Sequence, residues 1–208
     1  MTADRVVPAI LVGVIVLVAV TLVASSLNRP APPSFTPSSL AASPAGDDLV
    51  GPIVYTVDAR STDAWTYFDF SRGSAVEEPS PAEWDIAFRR FNVVVNGGPG
   101  FAGRGGALDL GETPLDSVTT LPADGYLPST ADSSATAMER WYAYSWTSHL
   151  LTPLPRSWAV RTADGRFAAL EFLGYYCPAA EPGCVTFRYR YQGSGSTRLV
   201  AGPGDPPP

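Results

Sequence analysis

The stretch Trp84–Gly98, WDIAFRRFNVVVNGG, decides how the rest of the chain reads. Its first five residues alternate. Trp84, Ile86 and Phe88 fall on one side of an extended backbone and Asp85 and Ala87 on the other, the period of two that a β-strand imposes. Arg89 and Arg90 interrupt that pattern before a second β-branched run, FNVVV, and the glycines after Asn96 close it. Two short strands on either side of a turn are expected, with Trp84, Ile86 and Phe88 turned into a core.

Working outward, the same alternation recurs. IVYTV (Ile53–Val57) and WTYFDF (Trp65–Phe70) precede the stretch. After it, WYAYSW sets Tyr142, Tyr144 and Trp146 on one face, and SWAVRT and RFAALEF flank Ala163-Asp164-Gly165, a glycine-containing hairpin connection. TFRYRY sets Phe187, Tyr189 and Tyr191 against Arg188 and Arg190. Only Ser129–Arg140 reads as a short helix within this region. The expectation is one all-β, mostly antiparallel domain over residues 49–192, a size suited to one core.

The ends differ in composition. Val6–Ala24 is an unbroken apolar run of 19 residues, against about 20 needed to cross a hydrocarbon core as a helix. Its length favours a membrane anchor over residues 1–27. A cleaved signal peptide is the competing reading, with a shorter apolar core and small residues such as Ala24 and Ser26 at a cleavage site. Residues 28–48 are rich in Pro, Ser and Ala and read as a tether. Residues 193–208 read as a disordered tail, although Thr197–Val200 has the makings of a short strand.

Cys177 and Cys184 are the only cysteines, set in YYCPAAEPGC, where prolines and a glycine mark a turn. Two thiols alone make a poor zinc site, and their spacing is too wide for CxxC redox chemistry. A hairpin disulfide is expected, which places the domain outside the cytoplasm, beyond a single-pass helix. No cysteine follows the apolar run, so lipid modification there is not expected. The formal net charge is -6 and all 14 basic residues are arginine. A chain this acidic, without a basic cluster, lacks the cations that displace counterions from phosphates, so nucleic acid is excluded as a partner.

Catalysis is not expected. The glycine-rich segment Asn96–Gly106 lacks the Lys and Ser/Thr that end a phosphate-binding loop. It reads as a loop needing close backbone approach, with a wall for a flat ligand as the alternative. His149 is the sole histidine, and no G-x-S-x-G elbow offers it a nucleophile. It is read either as a structural histidine or as a metal ligand. The aromatic residues upstream of it are read as core or as pocket lining.

WTYFDFSRG (Trp65–Gly73), WDIAFRRFNVVVNGG, the glycines to Gly106, WAVRTADGRFAALEF (Trp158–Phe172) and FRYRY together resemble the HmuY family of exported haem-binding proteins. The resemblance implies a nearly all-β fold that binds haem, with the iron held by two side chains, commonly His and in some relatives Met. This chain departs from that pattern. One histidine cannot supply two, so the expected ligands are His149 with Met138, Tyr142 or Tyr144, all residue types that ligate haem iron. A domain that has lost haem and serves as an interaction or envelope-structural module is the alternative expectation.

Overall fold

The computed structural model describes residues 3–27, 31–39, 46–130 and 134–200. The chain divides into two units, Met1–Pro32 with Tyr144–Leu151, and Pro33–Ala143 with Thr152–Pro208.

In the first unit, Ala3–Leu27 forms one α-helix, α1. Val7–Ser25 within it is long and apolar enough to cross a membrane, with mean hydropathy 2.9. Its two hydroxyl side chains are satisfied within the helix, Thr21 donating to the Val18 carbonyl at 2.8 Å and Ser25 to that of Thr21 at 2.7 Å. A helix that closes its own polar groups in this way is compatible with lipid.

The second unit carries most of the β-structure, and its pairings among named strands are antiparallel. The strands run β1 (Leu49–Asp58), β2 (Thr66–Asp69), β3 (Ser74–Val76), β4 (Ile86–Arg89), β5 (Asn92–Val95), β6 (Gly106–Asp109), β7 (Tyr142–Tyr144), β8 (Leu151–Pro153), β9 (Ser157–Arg161), β10 (Phe167–Tyr176) and β11 (Pro182–Gln192). One sheet has the order β1-β11-β10-β9-β6 and another β3-β2-β4-β5, while β7 and β8 form a hairpin. The all-β reading holds.

Alternation on β11 builds the core. Phe187, Tyr189 and Tyr191 are buried, whereas Arg188 and Arg190 lie on the reverse face, where Arg188 pairs with Glu171 and both pair with Asp116. Phe68 of β2 meets Phe187 at 5.2 Å and Tyr189 at 5.6 Å between ring centroids, and Phe88 of β4 stacks on Phe187 at 5.5 Å. Edge-to-face and offset rings interdigitate between the two larger sheets, the arrangement that aromatic quadrupoles favour. Arg90, at φ 56°, supplies the turn between β4 and β5 and donates to the Pro182 carbonyl at 2.9 Å.

The structure differs from the sequence reading in four places. Trp84 is buried but does not share a face with Ile86 and Phe88; it packs with Ala87 and Val94, beside Tyr67 and Phe101. The chain bends at Asp85, whose carboxylate turns inward to accept backbone N–H bonds, so the period of two starts only at Ile86. Ser129–Arg140 is not a helix. Among its described residues only Thr136–Met138 makes one 3-10 turn, and a Ser129–Ala135 bridge with a Thr130 N–H bond to Ser134 closes the segment into a loop.

Of the expected tether, residues 28–30 and 40–45 lie outside the described residues, but residues 34–38 lie along the second unit. Ser34 bridges to Tyr176, the Phe35 N–H bonds the Tyr176 carbonyl at 2.8 Å, and the Ser38 N–H bonds that of Thr56 at 2.9 Å. Gly174 makes this possible, since a Cβ there would meet the Phe35 ring at 2.4 Å. Of the expected tail, residues 201–208 lie outside the described residues, whereas Thr120 bridges to Arg198 and Leu199 is buried among Leu115, Val118 and Leu121. Backbone hydrogen bonds and one apolar side chain in a prepared slot hold each segment, and neither slot is visible from local composition.

Cys177 and Cys184 form the expected disulfide, closing the β10–β11 connection. A loop this short should contribute roughly 2–3 kcal/mol by restricting the unfolded chain. Chemical denaturation with and without reductant should show a loss of that size. Stoichiometric thiol labelling of the unreduced, denatured protein would contradict the pairing.

Candidate functional site

The hairpin of β7 and β8 carries the histidine. Its base is anchored in the second unit: Trp141 is fully buried, its ring 4.4 Å from that of Phe172 and its indole N–H bonded to the Phe91 carbonyl at 2.9 Å. The Leu154 N–H closes onto the Trp141 carbonyl at 2.9 Å. At the tip, the Ser145 N–H bonds the Leu150 carbonyl at 2.9 Å and the His149 N–H bonds the Ser145 carbonyl at 2.8 Å. This closure places His149 at φ 56°, a left-handed conformation uncommon outside glycine.

The strained backbone turns the imidazole onto its neighbour. Tyr144 Oη and His149 Nδ1 lie 2.5 Å apart. If Nδ1–H donates to the phenol oxygen, Nε2 keeps its lone pair, and a second group fixing the ring is how metal-ligating histidines are usually oriented. Nε2 makes no hydrogen bond to the described residues, and His149 is exposed.

The other expected ligands sit elsewhere. Tyr142 is half-buried against Phe91 and Trp141, and burial raises its pKa, which disfavours the phenolate form that binds iron. Met138 is 0 % exposed, so its sulfur is closed to any ligand in this conformation. The structure therefore brings Tyr144 and His149 together, while Met138 is enclosed and Tyr142 stands apart against Phe91 and Trp141. No cluster of three His, Cys, Asp or Glu side chains able to hold a metal occurs among the described residues.

The glycine-rich segment packs by the close backbone approach expected of it. Asn96 is buried and organises it, its side-chain amide donating to the carbonyls of Pro81 and Trp84 and its oxygen accepting from the Gly103 N–H at 3.0 Å. Close approach is real at Gly105, where a Cβ would meet the Asn96 oxygen at 2.6 Å. Gly98 and Gly105 also line an open cleft of about 530 Å³ with Arg104, Arg161, Gly165 and Phe167. Among the described residues that line this cleft there is no His, Met, Tyr or Cys. Beside it, Tyr126 lies under the Arg161 guanidinium at 5.7 Å, and burial pushes its pKa up to about 12.

Two of the quoted blocks meet here. The Arg104 N–H bonds the Ala163 carbonyl at 2.8 Å, and Asp85 accepts from the Ala163 N–H at 2.8 Å and from the Phe70 N–H at 2.9 Å. Sequence reading missed Asp85, Arg104 and Arg161 as site-shaping residues. Alternation alone puts Asp85 on the face opposite Ile86 and Phe88, and the arginines stand in two segments with no local sign that they converge.

Residues 61–145 match the HmuY protein family. That segment contains Met138, Tyr142 and Tyr144 and stops short of His149. No curated protein matches the chain. Solved structures share the HmuY-like fold: an apo HmuY analogue of Tannerella forsythia, at 21% identity and TM-score 0.53, over 70% of this chain and 97% of that one. Apo PinO of Porphyromonas gingivitis matches at 18% identity and TM-score 0.54, over 70% and 97%. A structure described as a HmuY-like heme-binding protein, from Bacteroides vulgatus, matches at 21% and 0.53, over 67% and 91%.

Proposed function

We propose that this chain is a non-catalytic, membrane-tethered HmuY-like domain outside the cytoplasm, and that it binds haem through His149 Nε2. The observation that carries the reading is the Tyr144–His149 contact at 2.5 Å on an exposed hairpin. A tyrosine fixes the one histidine of the chain by Nδ1 and leaves the other nitrogen outward. The location rests on the disulfide, which persists in oxidising compartments, and on the apolar helix. The residues fit one protein-derived axial ligand. They do not fit a closed pair, because Met138 is enclosed and burial disfavours the phenolate of Tyr142.

That same enclosure favours a second reading, an interaction domain that kept the fold and lost haem. Haem added to the full-length chain in detergent micelles separates the two. The first reading expects a saturable, sharpened Soret band at one haem per chain. The second expects the spectrum of haem in empty micelles.

A further inference from the structure

The β7–β8 hairpin has a feature that haem ligation does not use. Trp146, at its tip, is 81% exposed and Tyr144 is 41% exposed, their rings 5.3 Å apart in a T-shaped pair. From Trp141 to Pro155 the sequence WYAYSWTSHLLTPLP has no Asp, Glu, Lys or Arg. Tryptophan and tyrosine concentrate at membrane–water interfaces, where an apolar ring and a polar N–H or O–H are both satisfied. The apolar helix, Ala3–Leu27, has no aromatic residue of its own.

Chain connectivity brings the hairpin and a membrane within reach. Docking of Phe35 against Gly174 leaves only residues 26–33 between the apolar span and the first contact with the β-domain. Eight residues reach about 30 Å at full extension, rather less than the long spacer suggested by composition. The docking point is the Gly174–Tyr176 end of β10, and the base of the hairpin rests on that same end, Trp141 against Phe172 and Tyr175. The three residues of β7 extend about 10 Å before the turn that begins at Ser145.

We infer that the tip of the β7–β8 hairpin is a membrane-interface contact, with Trp146 and Tyr144 seated among the headgroups of the bilayer that the chain's own helix crosses. It would fix the domain's orientation on the membrane and hold His149 close to the lipid surface. The inference rests on the tethering reading and is independent of haem.

The test uses the full-length chain reconstituted into phosphatidylcholine–phosphatidylglycerol vesicles, with and without lipids brominated on their acyl chains, and reads tryptophan fluorescence after flotation. The helix has no tryptophan, so quenching reports the domain. The wild-type chain should be quenched, Trp146→Phe should lose most of that quenching, and Trp65→Phe should keep it. Floated wild-type protein that is unquenched, or Trp146→Phe quenched as strongly as wild type, would overturn the inference while leaving the tether standing. The first of those results would point to a protein partner for the tip. Protein that does not float would remove the tether and this inference together.

Discussion

Phe68→Ala should cost the domain about 3–5 kcal/mol, a large share of the roughly 5–15 kcal/mol that a domain of this kind possesses. Phe68 is fully buried and meets four rings, Tyr55 at 4.9 Å, Phe70 at 5.2 Å, Phe187 at 5.2 Å and Tyr189 at 5.6 Å. Tyr55, Phe187 and Tyr189 belong to the five-stranded sheet and Phe68 itself to the four-stranded one, so truncation opens a cavity at their junction that neither sheet can close without moving the other. Trp84→Ala removes a larger side chain from a shallower site, walled by the half-buried Trp65, Tyr67 and Phe101. It should fall at the lower end of the same range, because that cluster can partly collapse. Urea denaturation of the two variants against wild type decides the ranking. A Phe68→Ala protein that melts within a degree or two of wild type would contradict the two-sheet core.

The second large effect is a dependence of stability on pH carried by Asp85. This carboxyl is 6% exposed. Burial, helped by the negative charge of Asp69, pushes its pKa up to about 7, against the opposing pull of the Ala163 and Phe70 N–H bonds. A carboxyl whose pKa is higher folded than unfolded holds its proton longer in the native state. Its stabilising contribution is therefore complete below about pH 4 and is lost as pH rises through about 7. While only the folded state is protonated, stability should fall by about 1.4 kcal/mol per pH unit from this one group. Asp58 and Glu83 have lowered values and act in the opposite sense, in a more acidic window. Asp85→Asn should flatten the profile between pH 4.5 and 7. It should also lower stability below pH 5, since an amide can accept at only one of the two atoms that now receive N–H bonds. A variant whose pH profile parallels that of wild type would show that Asp85 does not titrate in this range.

Much of the fold was legible because its signals are local. The Phe187–Tyr191 alternation and the Ala163-Asp164-Gly165 turn need only neighbouring residues to be read. Trp84 shows where such reading stops. Period two assumes an unbroken strand, and the bend at Asp85 is caused by partners at Phe70 and Ala163, 15 and 78 residues away. The docking of Phe35 at Gly174 failed to register for the same reason, and Thr197–Val200 registered as a short strand without the slot that takes Leu199 beside Leu121. Each is one apolar residue in a polar segment, and its slot is built by distant chain.

The candidate site divides along the same line. Tyr144 and His149 are five residues apart and meet across one hairpin tip; residue type alone singles out His149 as the sole histidine, and alternation places Tyr144 in a strand beside it. Met138 was chosen by residue type, and its burial depends on how the loop after Ser129 closes. Arg104 and Arg161 meet only through tertiary structure, where Arg161 donates to the Arg104 carbonyl at 2.9 Å.

The central claim, that His149 is the iron ligand of a HmuY-like domain, is tested most directly by titrating haem into the full-length wild-type chain and two variants in the same micelles. Met138→Leu conserves volume in a closed core position and should leave fold and spectrum unchanged. His149→Ala alters an exposed tip, should leave the far-UV circular dichroism unchanged, and should abolish the sharpened Soret band or weaken binding at least about tenfold, of the order of 1.4 kcal/mol. A His149→Ala chain that binds haem as tightly as wild type, with the same band, would contradict the account.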